Sequence, residues 1–151
     1  MLDKFDIKIL KALQEEGNIA NSDLAKKIGI SASACWNRTQ KLIKQGYIEN
    51  ITATLNPERL GLPVLVLVGV ILEQSNAESF QAFETAVLKI PVITECVLLS
   101  GEFDYWIKIR VSDIKTYKKI YIETLLGLPA VKQIRSFFAL SEVKKDQKLI
   151  F

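Results

Sequence analysis

No histidine occurs anywhere in the 151 residues. The commonest general base at neutral pH and the commonest metal ligand are therefore both missing. Cysteine is nearly absent too. Cys35 and Cys96 lie far apart without C-x-x-C spacing, so the expectation is two buried thiols in a reducing cytosol, with no metal site. There is no long hydrophobic run: Val64–Leu72 falls well short of the roughly 20 residues that span a bilayer. The opening MLDKFDIKIL has charges among its apolar residues, unlike a secretory leader. A cytoplasmic location without membrane association is expected. Net charge is slight as well: 20 Lys and Arg against 17 Asp and Glu leave +3. That excess alone does not imply nucleic acid. What is present is apolar residue in quantity, 49% against 25% charged, which is a globular composition. The length suits one domain or two small ones.

The charge is unevenly placed. From position 24 to 48 there are five cations (Lys26, Lys27, Arg38, Lys41, Lys44) and no acid. A solvated helix face explains such a run, and so does a nucleic-acid surface. The local pattern bears on the choice. Phe5, Ile9, Ala12 and Leu13 recur at helix spacing, and Gly17 ends that helix. A second helix follows at NSDLAKKIG, with Asn21 or Ser22 as cap and Gly29 as stop. A third runs through SASACWNRTQKLIKQG, with Ser31 as cap and Gly46 as stop. Two short helices around a tight glycine turn outline a helix-turn-helix. Ile51, Ala53 and Leu55 then alternate with Thr52 and Thr54, which reads as the strand pair of a wing. NPERLGLP supplies two prolines and a glycine, so the hinge is placed at about 56–63.

The second half reads strand, helix, strand, strand, helix, strand. The strands are Val64 to Leu72, Val92 to Leu99, Tyr105 to Val111 and Val131 to Leu140; Ser75 or Asn76 caps the first helix and Asp113 the second. That order is the split ferredoxin-like unit. The fold class is therefore α+β. Residues 1–60 form a winged helix-turn-helix, and residues 64–151 a ferredoxin-like βαββαβ sandwich. The stretch VLVLVGVIL is apolar at both strand parities, although one sheet face lacks helices. A second sheet covering that face would explain it, so a homodimer through the C-terminal half is expected.

Two stretches carry chemistry. On the third helix, Asn37 and Gln40 can read adenine edges, while Arg38 and Lys41 can bind guanine or phosphate. Ser33 and Lys44 add polar reach, beside the capping Ser31. Trp36 either packs on the first helix or stacks on sugar and bases. The second stretch is SGEFDY, residues 100–105. It admits three readings. Glu102 and Asp104 could be a hydrolase carboxylate pair, but no further donors accompany them. Gly101 could supply the positive φ of a tight hairpin turn. Backbone N–H groups at the turn could cradle a carboxylate while Asp104 pairs with an ammonium, which would suit a free amino acid.

At these stretches the sequence resembles the Lrp/AsnC family of transcription regulators. LDKFDIKILKALQEEG is similar to that family's opening helix, and NSDLAKKIGISASACWNRTQKLIKQGYIE to its helix-turn-helix. ATLNPERLG is similar to its hinge, ECVLLSGEFDYWIKIRVSDIKTYKKI to its regulatory core, and LPAVKQIRSFFALSEVK to its last strand. The resemblance covers nearly the whole chain and is nearest to the leucine-responsive branch. It implies a DNA-binding regulator, not an enzyme, that dimerises through the C-terminal domain and assembles to octamers on double-stranded DNA. It implies no cofactor. It implies a small effector, usually an amino acid, bound between subunits near the turn, with Ser100, Gly101, Glu102, Asp104 and Tyr105 at the motif. Ile114, Phe137, Phe138 and Ala139 stand where effector response is tuned. This chain departs from the pattern in having SASAC without the usual prolines, Thr39-Gln40-Lys41 in place of adjacent arginines, and Glu102 for the commoner Asp. The competing expectation is an amino-acid-binding regulatory subunit of an enzyme that does not bind DNA.

Overall fold

The computed structural model describes residues 1–145 and 148–151. The chain divides into two compact units, Met1–Leu55 with Lys145–Phe151, and Asn56–Lys144. The C-terminal end, expected with the second half, packs with the first unit in this division. Leu149 lies on the first unit, where its backbone N–H and carbonyl are both bonded by the Gln14 side chain, at 2.7 and 3.2 Å. The hinge stretch belongs with the second unit and is a compact turn. Asn56 accepts from the N–H groups of Glu58 and Arg59, and Gly61 takes φ 74°.

The first unit is three helices: α1 (Lys4–Glu15), α2 (Asn21–Ile28) and α3 (Ala32–Lys44). Their apolar stripes meet in one core of Ile9, Leu10, Ala12, Leu24, Ala25, Ile28, Cys35 and Leu42. Asp3 caps α1 by accepting from the Phe5 and Asp6 N–H groups, and Asp6 reaches back to the Asp3 N–H, which completes a capping box. The expected side-chain cap of α2 is absent. Ala20 holds the cap position, and Asn21 is the first helical residue. Its amide donates instead to the Ala32 carbonyl at 2.8 Å, tying the start of α2 to the start of α3. Gly29 ends α2 at φ 83°, and Ser31 caps α3 by accepting from the Ala34 N–H. Residues 48–56 form no ladder. The strand pair expected at 51 to 55 is therefore not formed: among the described residues the segment has no partner strand, and an isolated ribbon is marginal in water.

The second unit is one antiparallel sheet with helices on one face. Its elements are β1 (Val64–Leu72), α4 (Ala77–Val87), β2 (Ile93–Leu98), β3 (Tyr105–Val111), α5 (Ile114–Glu123) and β4 (Val131–Phe138), and the strand order is β2-β3-β1-β4. Asn76 and Asp113 cap the two helices. Val66 stands opposite Ile109, Val68 opposite Ile107 and Val70 opposite Tyr105. With Phe83, Val87, Tyr117 and Leu125 these residues make the core beneath the helices. The alternate residues of β1, namely Leu65, Leu67, Gly69 and Ile71, face the other way. Among the described residues, no helix is long and apolar enough to cross a membrane.

Candidate DNA-binding face and effector turn

The sequence of α3 places Cys35, Thr39 and Leu42 inward, with the Thr39 hydroxyl donating to the Cys35 carbonyl at 2.9 Å. Every remaining face therefore looks out. Ser33, Trp36, Asn37, Gln40, Lys41 and Lys44 are exposed, and Trp36 keeps 55% of its surface. The packing alternative for Trp36 is thereby removed, and its ring lies on the same face as Gln40 and Lys44. Ser31 is spent on the cap, with its hydroxyl 3.2 Å from that of Ser33.

Arg38 departs from this pattern. One guanidinium nitrogen donates to Asp3 and to Asp6, at 2.7 Å each, and the group lies 5.5 Å over the Phe5 ring. The reading of Arg38 as a free phosphate or guanine contact does not fit this geometry. Hydrogen bonds to Asp6 and then Asp3 strengthen its hold on its proton. The Asp6 backbone N–H, and next the guanidinium, keep the Asp3 carboxyl below the usual carboxylate range.

The turn between β2 and β3 is wider than a two-residue hairpin. It closes where the Leu99 N–H meets the Asp104 carbonyl at 2.8 Å. Gly101 does not adopt the expected positive φ, and a Cβ built on it would meet nothing. A four-residue loop spreads the reversal over more bonds, so no left-handed residue is needed. The Asp104 carboxylate accepts from the Leu72 N–H at 2.8 Å and from the Ser75 hydroxyl at 2.9 Å. It thus fastens the turn to the end of β1. Glu102 pairs with Arg135 on β4. These partners tie the two carboxylates to different strands, Asp104 to the end of β1 and Glu102 to β4.

The turn also reaches over the open sheet face. Phe103 covers Gly69, where an added Cβ would lie 2.6 Å from the ring. Trp106 stands beside Gly69 on one neighbouring strand and Arg135 on the other. Phe103, Trp106 and Phe137 form a triangle with ring centres 5.6 to 6.0 Å apart, and the Arg135 guanidinium lies 5.7 Å over Phe103. Part of the second apolar parity of β1 is therefore covered within one chain.

The expected effector residues separate into groups. Ser100, Gly101 and Glu102 are exposed on the turn, and Phe137 is on the same sheet face. Tyr105 is not with them. It is buried beneath the helices, its hydroxyl donating to Glu84 at 2.7 Å, and burial and then that bond raise its pKa. Phe138 points to the helix side and packs edge-on against Tyr117. Ala139 pairs its N–H with the Leu65 carbonyl, and Ile114 is 66% exposed at the start of α5.

Residues 2–49 match a family model described as winged helix-turn-helix DNA-binding, and residues 65–149 match the Lrp/AsnC ligand binding domain. The chain belongs to the Lrp/AsnC family. It is 42% identical over 149 residues to the leucine-responsive regulatory protein of Escherichia coli K12, covering 99% of this chain and 91% of that one. Among solved structures it is similar to a transcriptional regulator of Neisseria meningitidis in complex with L-Met, at TM-score 0.92 and 31% identity, covering 99% and 97% of the two chains. An AsnC family regulator of Agrobacterium tumefaciens gives TM-score 0.91 and 32% identity over the same shares. An Lrp/AsnC protein is a DNA-binding transcription regulator with a ligand-binding domain, and both parts are present here.

Three residues of this Lrp/AsnC chain escaped the sequence reading: Gly69, Phe103 and Trp106. The signal for the first was available. A lone glycine inside an otherwise β-branched strand marks a close approach. What approaches it is decided across strands and was not legible.

Proposed function

We propose that this chain binds duplex DNA through the exposed face of α3 and that a free amino acid, held beside the 100–104 turn, sets the strength or assembly of that binding. Trp36, Asn37, Gln40, Lys41 and Lys44 form the contact surface, with Ser33 at its N-terminal end. The observation that carries this reading is the α3 face itself: polar, cationic, without an acid of its own, and left open by a helix that buries only its 35, 39 and 42 positions. A major groove admits one such helix. The effector half is supported by Gly101. Neither backbone conformation nor packing within the chain requires a glycine there. Close approach of a ligand or second subunit to the turn would account for a glycine at this position. Asp104 shapes the turn from behind, and the Trp106–Phe137 stack beside it suits an apolar side chain.

The open sheet face carries Leu65, Leu67, Ile71, Val97 and the aromatic triangle. On it Lys108 pairs with Glu95, Arg110 with Glu142 and Arg135 with Glu102. Paired charge around an apolar centre suits burial. We assign this face to a homodimer in which two sheets meet, with higher assembly to octamers.

Lys41→Ala with Lys44→Ala tests the DNA half in a salt titration. Two lost phosphate contacts lower the slope of log affinity against log salt by about 2. An unchanged slope rejects the assignment. Thermal unfolding with single amino acids tests the effector half. Methionine and leucine come first, because the Neisseria relative holds L-Met and the Escherichia coli relative is named for leucine. A ligand at 100 times its Kd adds about 2.7 kcal/mol of stability. Stabilisation without any DNA affinity would favour the enzyme-subunit reading instead.

A further inference from the structure

Arg38 sits in the middle of the recognition helix between Asn37 and the exposed Lys41, where a cation would ordinarily be assigned to phosphate. The bonds around it divide in a specific way. Asp3 uses Oδ1 for the Phe5 and Asp6 backbone N–H groups and keeps Oδ2 for Arg38. Asp6 uses Oδ2 for the Asp3 N–H and keeps Oδ1 for Arg38. The capping box of α1 thus takes one oxygen of each carboxylate, and the guanidinium takes the other. The acids cannot turn away without opening the first turn of α1. Phe5 closes the arrangement beneath the guanidinium.

The charges decide where Arg38 stays. Leaving for DNA would exchange two oriented carboxylates for one phosphate. It would also strand two acids beside the DNA face, one of them, Asp6, with its side chain only 14% exposed. An unpaired and partly buried carboxylate is unfavourable, and two of them would repel the phosphates as well. Lysine would keep the charge but not the arrangement, because it lacks the planar guanidinium that lies over the Phe5 ring while one of its nitrogens bonds both acids.

We infer that Arg38 is a positioning residue for DNA recognition: it fixes the middle of α3 to the start of α1 through Asp3 and Asp6 and does not itself touch DNA. This rests on the α3 reading above. The consequence is specific. A phosphate contact supports all sequences alike, whereas the pose of the recognition helix supports only the right one. Loss of Arg38 therefore degrades discrimination rather than general affinity.

The test uses the full-length protein, a duplex enriched from a random pool by the wild-type protein, and a shuffled duplex of equal composition. Arg38→Lys keeps the charge, and Asp3→Asn with Asp6→Asn keeps the helix cap. Each is expected to cut the preference for the enriched duplex roughly tenfold while leaving the salt slope on the shuffled duplex unchanged. Lys41→Ala, by contrast, weakens both duplexes alike and lowers the slope by about 1. Single Asp6→Asn, with one bond to Arg38 gone, gives an intermediate loss should the double variant fold poorly by circular dichroism. Wild-type preference in Arg38→Lys overturns the inference, as does a slope lowered by about 1 in Arg38→Gln. If Lys41→Ala also leaves the slope unchanged, the α3 reading fails rather than the role of Arg38.

Discussion

Gly69 and Phe103 show how one missing methyl group organises a site. The ring occupies the space where a Cβ would project from the central strand. Gly69→Ala should therefore destabilise the C-terminal unit by about 1–3 kcal/mol, an overpacking cost, read from denaturant midpoints. Adding Phe103→Ala should recover most of that loss, because the clash is with the ring. A double variant no better than Gly69→Ala would place the cost elsewhere. Cys96 makes a different point at the same scale. The expectation of two buried thiols holds for Cys35 but not for Cys96, which as a residue is exposed on the edge strand. Its thiol nevertheless faces α4, and desolvation followed by the nearby Glu84 pushes its pKa up to about 11. Alkylation by iodoacetamide near pH 8, followed by peptide mass spectrometry, should run about a hundredfold slower than for a free thiol. A rate like that of glutathione would show a thiolate the structure does not provide.

At the scale of elements, the helix starts carry acid sensitivity. The Asp113 carboxyl lies below its ordinary range because it accepts first from the Thr116 backbone and then from the Ser112 and Thr116 hydroxyls. Asp3 is lowered as well, by the Asp6 N–H first. A lowered folded pKa gives stability that is present above the unfolded value of about 3.9 and lost as pH falls through the folded one. Urea midpoints should therefore drop between about pH 5 and pH 3. Asp113→Asn, which still caps, should make that drop shallower, and an equally steep drop would remove Asp113 from the account. Helix and strand placement was largely legible in these same residues. Asp113 and Ser31 are caps whose side chains can satisfy only nearby N–H groups, so sequence distance alone locates them. Asn21 was misread because its amide had a better partner 11 positions away, in Ala32. The alternation at 51 to 55 was read as the strand pair of a wing, but residues 48–56 form no ladder, and a ladder needs a partner that no local pattern supplies.

The whole molecule presents a sheet with one face under helices and one face open. If two such faces meet, Leu67→Arg adds an unpaired cation at their centre. Sedimentation should then show the dimer weakened at least tenfold, with the circular dichroism spectrum kept because Leu67 is not in the helix-side core. An unchanged dimer would move the interface to another surface. The same scale explains the C-terminal residues. Leu149 returns to α1 through a paired amide–backbone contact with Gln14. Nothing in the composition of that segment sets it apart from a free tail.

The sequence by itself determined the helix-turn-helix ahead of a strand-rich half, several helix boundaries set by caps and left-handed glycines, and the α3 stretch proposed to bind DNA. All of these follow from interactions between residues a few positions apart. The tertiary structure decided which of the nominated side chains remained available. Arg38 was claimed by two acids more than 30 positions away, Asp104 by Leu72 and Ser75, and Tyr105 by Glu84. A charged or polar group is assigned by the partner that best satisfies it, and that partner is known only once distant segments lie side by side.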